Sequence, residues 1–206
     1  MNSKTALVGA PIAAILLSIA FLDRPLALWS YEHLHAVRET FHDITKIVDG
    51  IEILVMAGLI WCGALFALGK ALSARDAAVL RVSLAVLAAI GVKDLLKVAF
   101  GRTWPETWTN ANPSFITDHV FTFAPFHGGQ GWSAFPSGHM TVAAAFCGAL
   151  WIVAPRLRAL CVPVIGLVAV GLAGADEHWL SDMIAGGLIG WLVGVLVAKL
   201  EPPKPA

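Results

Sequence analysis

Charged residues are scarce in this sequence. Lys, Arg, Asp and Glu make up 14% of its 206 residues, whereas hydrophobic residues make up 58%. Because a soluble domain has about a quarter charged residues, this composition argues against a water-soluble fold and predicts one membrane domain over residues 1–206. The formal net charge is zero, so the charge balance gives no reason to expect nucleic acid or a strongly acidic partner.

Cysteine is scarce as well. The three cysteines, Cys62, Cys147 and Cys161, all lie within apolar runs. An odd number of thiols at membrane depth argues against a disulfide framework and against a zinc site. We therefore expect no metal and no other cofactor.

Long apolar runs are abundant, and they predict an all-α membrane protein. Six runs are candidates for transmembrane helices: 6–22, 51–68, 77–100, 139–153, 159–175 and 183–200. The first run also fits a secretory signal peptide, with Ser18–Ala20 as a weak cleavage site. The mixed, amphipathic segment 23–49 predicts an interfacial helical segment after the first span.

The distribution of Lys and Arg predicts the orientation of these spans. With six spans, eight basic residues fall on the side of both termini, whereas Arg24, Arg38, Lys46 and Arg102 fall on the other. The positive-inside rule then places both termini in the cytoplasm. The long loop 101–138 and the segment 176–182 would share the outer face.

Pro136, Ser137, Gly138 and His139 stand where the long loop meets an apolar run. Pro followed by Ser predicts a helix start with Ser137 as the N-cap. The exposed N–H groups and the dipole of a helix start favour an anion such as phosphate, and Gly138 allows close approach. His139 adds an acid–base group. These residues are equally compatible with an ordinary capped helix.

Lys97 lies near the outer end of the third apolar run, where a charge is costly and is a candidate for function. Lys93 is one helical turn earlier and shares its face. The alternatives are that Lys97 only reaches the headgroups and that Lys93 pairs with Asp94.

His178 and Asp182 are four residues apart, so a helix through both would put them on one face. A carboxylate that accepts a hydrogen bond from one imidazole nitrogen fixes the tautomer and makes the other nitrogen a better nucleophile. Alternatively, Ser181 or Asp182 is only the N-cap of the last helix.

These three clusters, at 97–105, 136–139 and 178–182, together resemble the type 2 phosphatidic acid phosphatase superfamily, in the same order and with the same spacing. The family has three signature motifs. The first is a Lys followed, after six residues, by Arg-Pro, and the second is Pro-Ser-Gly-His. The third is Ser-Arg followed, after five residues, by a His and, after three more residues, by an Asp. Two motif arginines are absent, because this chain has Trp104 in the first motif and Leu172 in the third.

The resemblance implies a bacterial, multi-pass inner-membrane protein that hydrolyses a lipid phosphate or pyrophosphate monoester without metal, on the periplasmic side. His178 would form a phosphohistidine with Asp182 orienting its ring, and His139 would be the general acid and base. The groups that hold the phosphate oxygens would be Lys97, Arg102, Ser137 and Gly138. The expected partners are the lipid phosphate substrate and membrane lipids, and no nucleic acid.

Several alternatives stay open at this stage. Without the two arginines, the chain is either a phosphatase or a catalytically weak or inactive lipid-binding or scaffold relative, and a lipid-to-lipid phosphotransferase has the same motifs. Asp176 and Glu177 either pair with Arg102 or alter the chemistry. The substrates that fit are phosphatidic acid, phosphatidylglycerol phosphate, a polyprenyl pyrophosphate and a lipopolysaccharide anchor. The oligomeric state is not predicted.

Overall fold

The computed structural model describes residues 3–108 and 111–200, with side chains from Gly9 onward. Over these residues the regular elements are helices, and β-pairing is limited to isolated bridges in the long loop. The helices, in chain order, are α1 (Ser3–Leu17), α2 (Asp23–Leu34), α3 (Arg38–Thr45), α4 (Ile47–Ala67), α5 (Ala74–Phe100), α6 (Phe115–Asp118), α7 (Gly138–Val153), α8 (Arg158–Gly174) and α9 (Leu180–Ala198). A π-helical turn, Ser18–Leu22, connects α1 directly to α2.

Three stretches of the described chain are long and apolar enough to cross a membrane: Gly9–Ala67, Pro155–Gly174 and Leu180–Ala198. α7 is apolar but has only 16 residues, fewer than the ~20 that a bilayer core needs. α5 has 27 residues but carries charged side chains near both ends. The all-helical fold is therefore confirmed, with three apolar stretches long enough to cross a membrane.

α7 and α9 form the centre of the bundle, with α5, α8 and α4 around them. Gly190 of α9 lies against the backbone of Thr141 in α7, where an added Cβ would meet the Thr141 carbonyl oxygen. Gly186 and Gly194 make the same close approach one turn to either side. This spacing of small residues lets two apolar helices pack backbone to backbone.

The segment 23–49 is helical, as predicted, and it docks on the bundle. α3 packs against α8, where Gly171 and Gly174 leave room for the main chain and ring of Phe41. In α2, the Ser30 hydroxyl donates to the carbonyl of Ala173 at 2.7 Å. Two short helices therefore cover α8 on the side where the third motif begins.

The loop between α5 and α7 is held by its own backbone. α5 ends at Gly101, whose φ of +57° is favourable for glycine. The N–H of Ala124 then donates to the Gly101 carbonyl at 2.6 Å, and the N–H of Ala134 donates to the Arg102 carbonyl at 3.1 Å. This ordered loop can therefore hold side chains of the first motif in fixed positions.

Bulky aromatic residues at a membrane interface usually anchor a protein in the lipid headgroups. Trp104 is instead buried, and it forms a cluster with Trp179, Phe115 and Phe121. Phe126 remains largely exposed. The clustered residues do not anchor the protein in this way, because they form a second, small core beneath the loop.

Candidate active site

The three motif segments meet at one end of the helix bundle. The N–H of Ser137 donates to the carbonyl of Asp182 at 3.1 Å, which connects the start of α7 to the start of α9. The indole N–H of Trp179 donates to the carbonyl of Thr103 at 2.8 Å, which connects the loop to the third motif. The prediction that these distant polar segments lie together is confirmed.

His178 and Asp182 form a buried pair, with 3.4 Å between Nδ1 and Oδ2. The same Oδ2 accepts the N–H of Trp179 at 3.2 Å. A single helix does not run through both residues, because α9 begins at Leu180 and His178 precedes it. The pair forms because Asp182, in the first turn, reaches back to the residues before the helix. With Nδ1 held, Nε2 is the nitrogen available for chemistry.

The surroundings of His178 favour a neutral imidazole. Burial lowers the pKa of His178, and the hydrogen bond that its imidazole donates to Asp182 opposes this effect without overcoming it. The ring of Trp104 lies 4.9 Å from the His178 ring, centroid to centroid. A neutral, shielded imidazole held by a carboxylate has the features of a nucleophile.

The start of α7 lies next to this pair. Ser137 is the N-cap, as predicted, and its hydroxyl accepts the N–H of Met140 at 3.5 Å. His139, in the first turn, is close enough to His178 for the two rings to interact electrostatically. The helix start therefore brings a second imidazole and exposed N–H groups to the same end of the bundle.

Lys97 and Lys93 lie over this helix start. A Cβ added to Gly138 would be 3.6 Å from Cδ and Cε of Lys93 and 3.9 Å from Cε of Lys97. The Lys97 ammonium donates to the carbonyl of Ser133 and lies 5.4 Å from the centre of the Trp104 ring. It therefore turns inward, toward the loop, and not outward. Lys93 pairs with Asp94 at 2.5 Å, which was the alternative predicted for it.

Arg102 lies behind the His178–Asp182 pair. Its guanidinium is 1% exposed and donates to Oδ1 of Asp182, to the Ser181 hydroxyl at 2.6 Å and to Oδ2 of Asp23 at 2.7 Å. The suggestion that Arg102 pairs with Asp176 or Glu177 is wrong. Its partners in the structure are the carboxylate that orients His178 and a carboxylate from α2.

Asp23 is the residue of this site that the sequence did not reveal. It is buried, and it accepts the N–H of Ser181 at 2.9 Å and the Ser181 hydroxyl at 2.5 Å. The sequence shows only that this acidic residue directly follows the first apolar run. Hydropathy alone places such a residue at the membrane boundary and does not connect it to the site. Asp23 supports both Arg102 and the first turn of α9.

Two buried hydrophobic residues, Trp104 and Leu172, occupy the positions where the family has arginines. Trp104 covers the His178 ring, and its indole N–H donates to the carbonyl of Gln130 at 2.7 Å. Leu172 is fully buried in the main apolar core, where Val48 and Val168 are among the other members. A guanidinium at position 172 would therefore lie in the apolar core.

Acidic and imidazole groups also occur on the α3 side of this end. His42 pairs with Glu177, and Glu106 accepts a hydrogen bond from Arg38 at 2.6 Å. In the described part of the chain, no group of three or more His, Cys, Asp or Glu residues is arranged to hold a metal ion. These residues thus form ion pairs and hydrogen bonds.

Comparison with known proteins decides the family. The sequence model of the PAP2 superfamily matches residues 78–205, which is more than half of the chain and includes all three motifs. This chain belongs to the PAP2 superfamily. The resemblance expected from the motifs is therefore confirmed, even though Trp104 and Leu172 replace two motif arginines. Asp23 and α3 lie outside the matched residues.

Two relatives are similar over half of this PAP2 chain. A lipid A 1-phosphatase from Rhizobium johnstonii is 38% identical over 109 residues, which are 51% of this chain and 40% of the relative. A lipid A 1-phosphatase from Rhizobium etli is 37% identical over 109 residues, covering 51% of this chain and 42% of the relative. The match thus spans less than half the length of either relative. No solved structure matches the chain.

Proposed function

We propose that this PAP2 protein hydrolyses a lipid phosphate or pyrophosphate monoester, without metal, through a phosphohistidine on His178. The observation that carries the proposal is the buried His178–Asp182 pair, 3.4 Å apart, beside the capped start of α7. Membership of the PAP2 superfamily and the similarity to two lipid A 1-phosphatases support it.

The first step is attack by Nε2 of His178 on phosphorus. The bond from phosphorus to the lipid oxygen breaks as the bond to nitrogen forms, and His139 gives its proton to the leaving oxygen. His139 then takes a proton from water, which attacks the phosphohistidine and releases phosphate. His178 and His139 both return to their starting states, so no further reactant is needed.

The positive groups around this site stabilise the transferred phosphoryl group. Phosphoryl transfer is catalysed mainly by positioning and charge stabilisation. Lys97 and the N–H of Gly138 are placed to bind the equatorial oxygens, and the Ser137 hydroxyl supports the helix start. Arg102, which was predicted to hold phosphate, acts in this proposal through Asp182, because its guanidinium is bonded to Asp182, Ser181 and Asp23.

The surrounding architecture fits a membrane enzyme whose substrate approaches from the bilayer. We propose one domain with six crossings, α1, α4, α5, α7, α8 and α9, and with the motif end on the periplasmic side of the bacterial inner membrane. An apolar cavity of about 250 Å³ reaches His178 between α2, α8 and the start of α9. This cavity would accommodate part of an acyl chain while the phosphate lies at the headgroup level.

The relatives indicate which substrate to test first. Their name makes the 1-phosphate of lipid A the first candidate, ahead of phosphatidic acid, phosphatidylglycerol phosphate and a polyprenyl pyrophosphate. The purified protein in detergent should release phosphate from at least one of these lipids in the presence of EDTA. His178→Ala should abolish the release.

The matched control is His127→Ala, because His127 is exposed in the loop, where it stacks on Trp132. Wild-type activity in His178→Ala would overturn the mechanism. Absence of release from every lipid would favour a lipid-binding relative, for which the replaced arginines at Trp104 and Leu172 are the specific observation. Transfer of labelled phosphate to a second lipid would identify a phosphotransferase.

A further inference from the structure

A second cavity lies beside the candidate active site, and the proposed chemistry does not use it. It has a volume of about 180 Å³ and lies between α3, the loop after α5 and the residues that precede His178. Its lining includes the polar or aromatic side chains of Arg38, His42, Glu106, Trp108, Asp176 and Glu177. Its lining is therefore mainly charged, unlike the apolar cavity on the other side of Asp176.

The charges of this cavity are mostly paired, with one exception. Glu106 accepts from Arg38 at 2.6 Å and lies 3.5 Å from Nδ1 of His35. Glu177 pairs with His42. Asp176 is 5% exposed, and its Oδ2 is buried without a hydrogen-bond partner in the described structure. A buried carboxylate without a partner is costly and requires an explanation.

Asp176 is also held in an unusual backbone conformation. Its φ is +54°, in the left-handed region that residues other than glycine seldom adopt. Burial, followed by repulsion from Glu106, raises the pKa of Asp176 to about 8. Without a ligand the carboxyl group is therefore mainly protonated near neutral pH, and a cation bound beside it would stabilise its charged form.

The charges that line the cavity indicate which kind of ligand can bind there. Its carboxylates, on Glu39, Glu106, Asp176 and Glu177, outnumber its one guanidinium. A phosphate or another anion would be repelled. A metal ion is not favoured, because the described His, Cys, Asp and Glu residues form no metal-binding group. A small cation that donates hydrogen bonds fits both the charge and the unused acceptor.

Asp176 is close to the reacting centre. One residue separates it from His178, so their Cα atoms are at most about 7 Å apart. Asp176 and His178 both also line the apolar cavity. A ligand with its phosphate at His178 could therefore place a group a few bonds away against Asp176.

We propose that the cavity at Asp176 binds a primary ammonium group carried by the head group of the lipid whose phosphate reaches His178. The identity of the carrier rests on the proposed function, whereas the ammonium site itself does not. None of the four lipids named above has a primary ammonium group, so the carrier would be a different lipid phosphate, one with a free amine. A free small amine would use the same contacts, so the experiment separates the two sources.

The first arm measures binding without catalysis. Purified protein in detergent is titrated with ethanolamine, and with ethylene glycol as the uncharged control, while thermal unfolding is followed. Ethanolamine should stabilise the wild type, and Asp176→Asn should weaken its binding by about 10- to 100-fold, since the charged acceptor is lost. Asp43→Asn, on the exposed Asp43–Lys46 pair, should bind like the wild type.

The second arm measures selectivity. Phosphate release is compared for a sphingoid-base phosphate with a free amine and for its N-acylated counterpart. The wild type should prefer the free amine, and Asp176→Asn should lose about 10- to 100-fold of that preference in kcat/KM while its activity on the N-acylated lipid stays the same.

The two arms give distinguishable outcomes. If ethanolamine and ethylene glycol act alike on the wild type, or if Asp176→Asn binds ethanolamine normally, the ammonium site is overturned whatever the enzyme activity. Ethanolamine binding without selectivity between the lipids overturns the head-group source and identifies a free amine. If ethanolamine binds and no lipid is hydrolysed, the ammonium site stands and the proposed phosphatase function fails.

Discussion

Asp23 and Arg102 form a buried ion pair across 79 positions of the chain, with 2.7 Å between Oδ2 and the nearer terminal nitrogen. The other terminal nitrogen of the guanidinium donates to Asp182, which in turn holds His178. A residue at the start of α2 is thus connected, through one arginine, to the imidazole proposed as the nucleophile. Asp23 is therefore a candidate positioning residue.

The first prediction concerns Asp23→Asn, which keeps the shape and removes the charge. Arg102 then has only Asp182 as a charged partner, so Asp182 is drawn away from His178. We expect kcat for phosphate release to fall about 10- to 100-fold, within the range for a lost electrostatic contact in a preorganised site. Removal of a nearby negative charge should also lower the apparent pKa of His178, which moves the acidic limb of the pH–rate profile to lower pH.

The control for Asp23→Asn is Asp43→Asn, because the Asp43 side chain is exposed and pairs only locally, with Lys46. It should leave rate, pH profile and thermal unfolding unchanged. A purely structural role for Asp23 would lower the unfolding temperature of Asp23→Asn but leave the acidic limb in place. That result would contradict the positioning role.

The second prediction concerns Leu172→Arg, which restores a motif arginine of the PAP2 superfamily. In this chain Leu172 is fully buried in the apolar core, so the guanidinium would be buried without a partner. We expect the free energy of unfolding to fall by several kcal/mol, about 3 or more, and activity to fall with it. Leu172→Met, which conserves volume, should cost less than about 1.5 kcal/mol. Higher activity in Leu172→Arg at unchanged stability would show that the arginine can still reach the site.

Local patterns allowed much of this fold to be predicted. The apolar runs at 139–153 and 159–175 correspond to α7 and α8, and Ser137 is the N-cap of α7. These features depend on hydropathy and on capping within a few residues, which a sequence displays directly. The hydropathy pattern also predicted that the loop and the His178 segment lie on the same side of the spans, and the two segments are in contact in the structure.

The partners of buried charges could not be predicted in the same way. Arg102 was expected to contact phosphate, and its pairing with Asp23 depends on how α2 packs against α9. The close fit of Phe41 on Gly174 likewise depends on the docking of α3. Such contacts connect distant segments and leave no periodic signal. The substitution of Leu172 for the motif arginine is understandable only once its burial in the core is seen.

The third prediction concerns pH. Burial keeps the pKa of His178 below its ordinary value of 6.5, so the imidazole is still neutral at pH 6.5. The rate of phosphohistidine formation should therefore not decrease as the pH falls through 6.5 and should decline only below the lowered pKa of His178. Single-turnover measurements with labelled lipid, quenched at increasing times, report this step. A decline centred at or above pH 6.5 would contradict the proposed state of His178.

Stability should follow the same linkage. In the unfolded chain His178 takes up a proton near pH 6.5, whereas in the folded protein it does so only at lower pH. The unfolded state thus binds more protons in this window, and the free energy of unfolding decreases as pH falls from 6.5 toward the lowered pKa. Replacement of His178 by Gln should reduce this slope in thermal unfolding. An unchanged slope would show that groups other than His178 cause the pH dependence of stability.

The last prediction concerns the contact of α7 with α9. A methyl group on Gly190 would meet the backbone of Thr141 and lie 3.0 Å from the N of Ala145, so the helices must separate. Gly190→Ala should lower the free energy of unfolding by about 1–3 kcal/mol. Activity should fall as well, because separation also loosens the Ser137–Asp182 hydrogen bond that aligns both helix starts.

The matched control is Gly187→Ala on the same helix, whose methyl group would meet only Met140, at 3.6 Å. Thermal unfolding and phosphate release of both variants check this account, and equal effects of the two substitutions would show that helix propensity, not close packing, governs this contact.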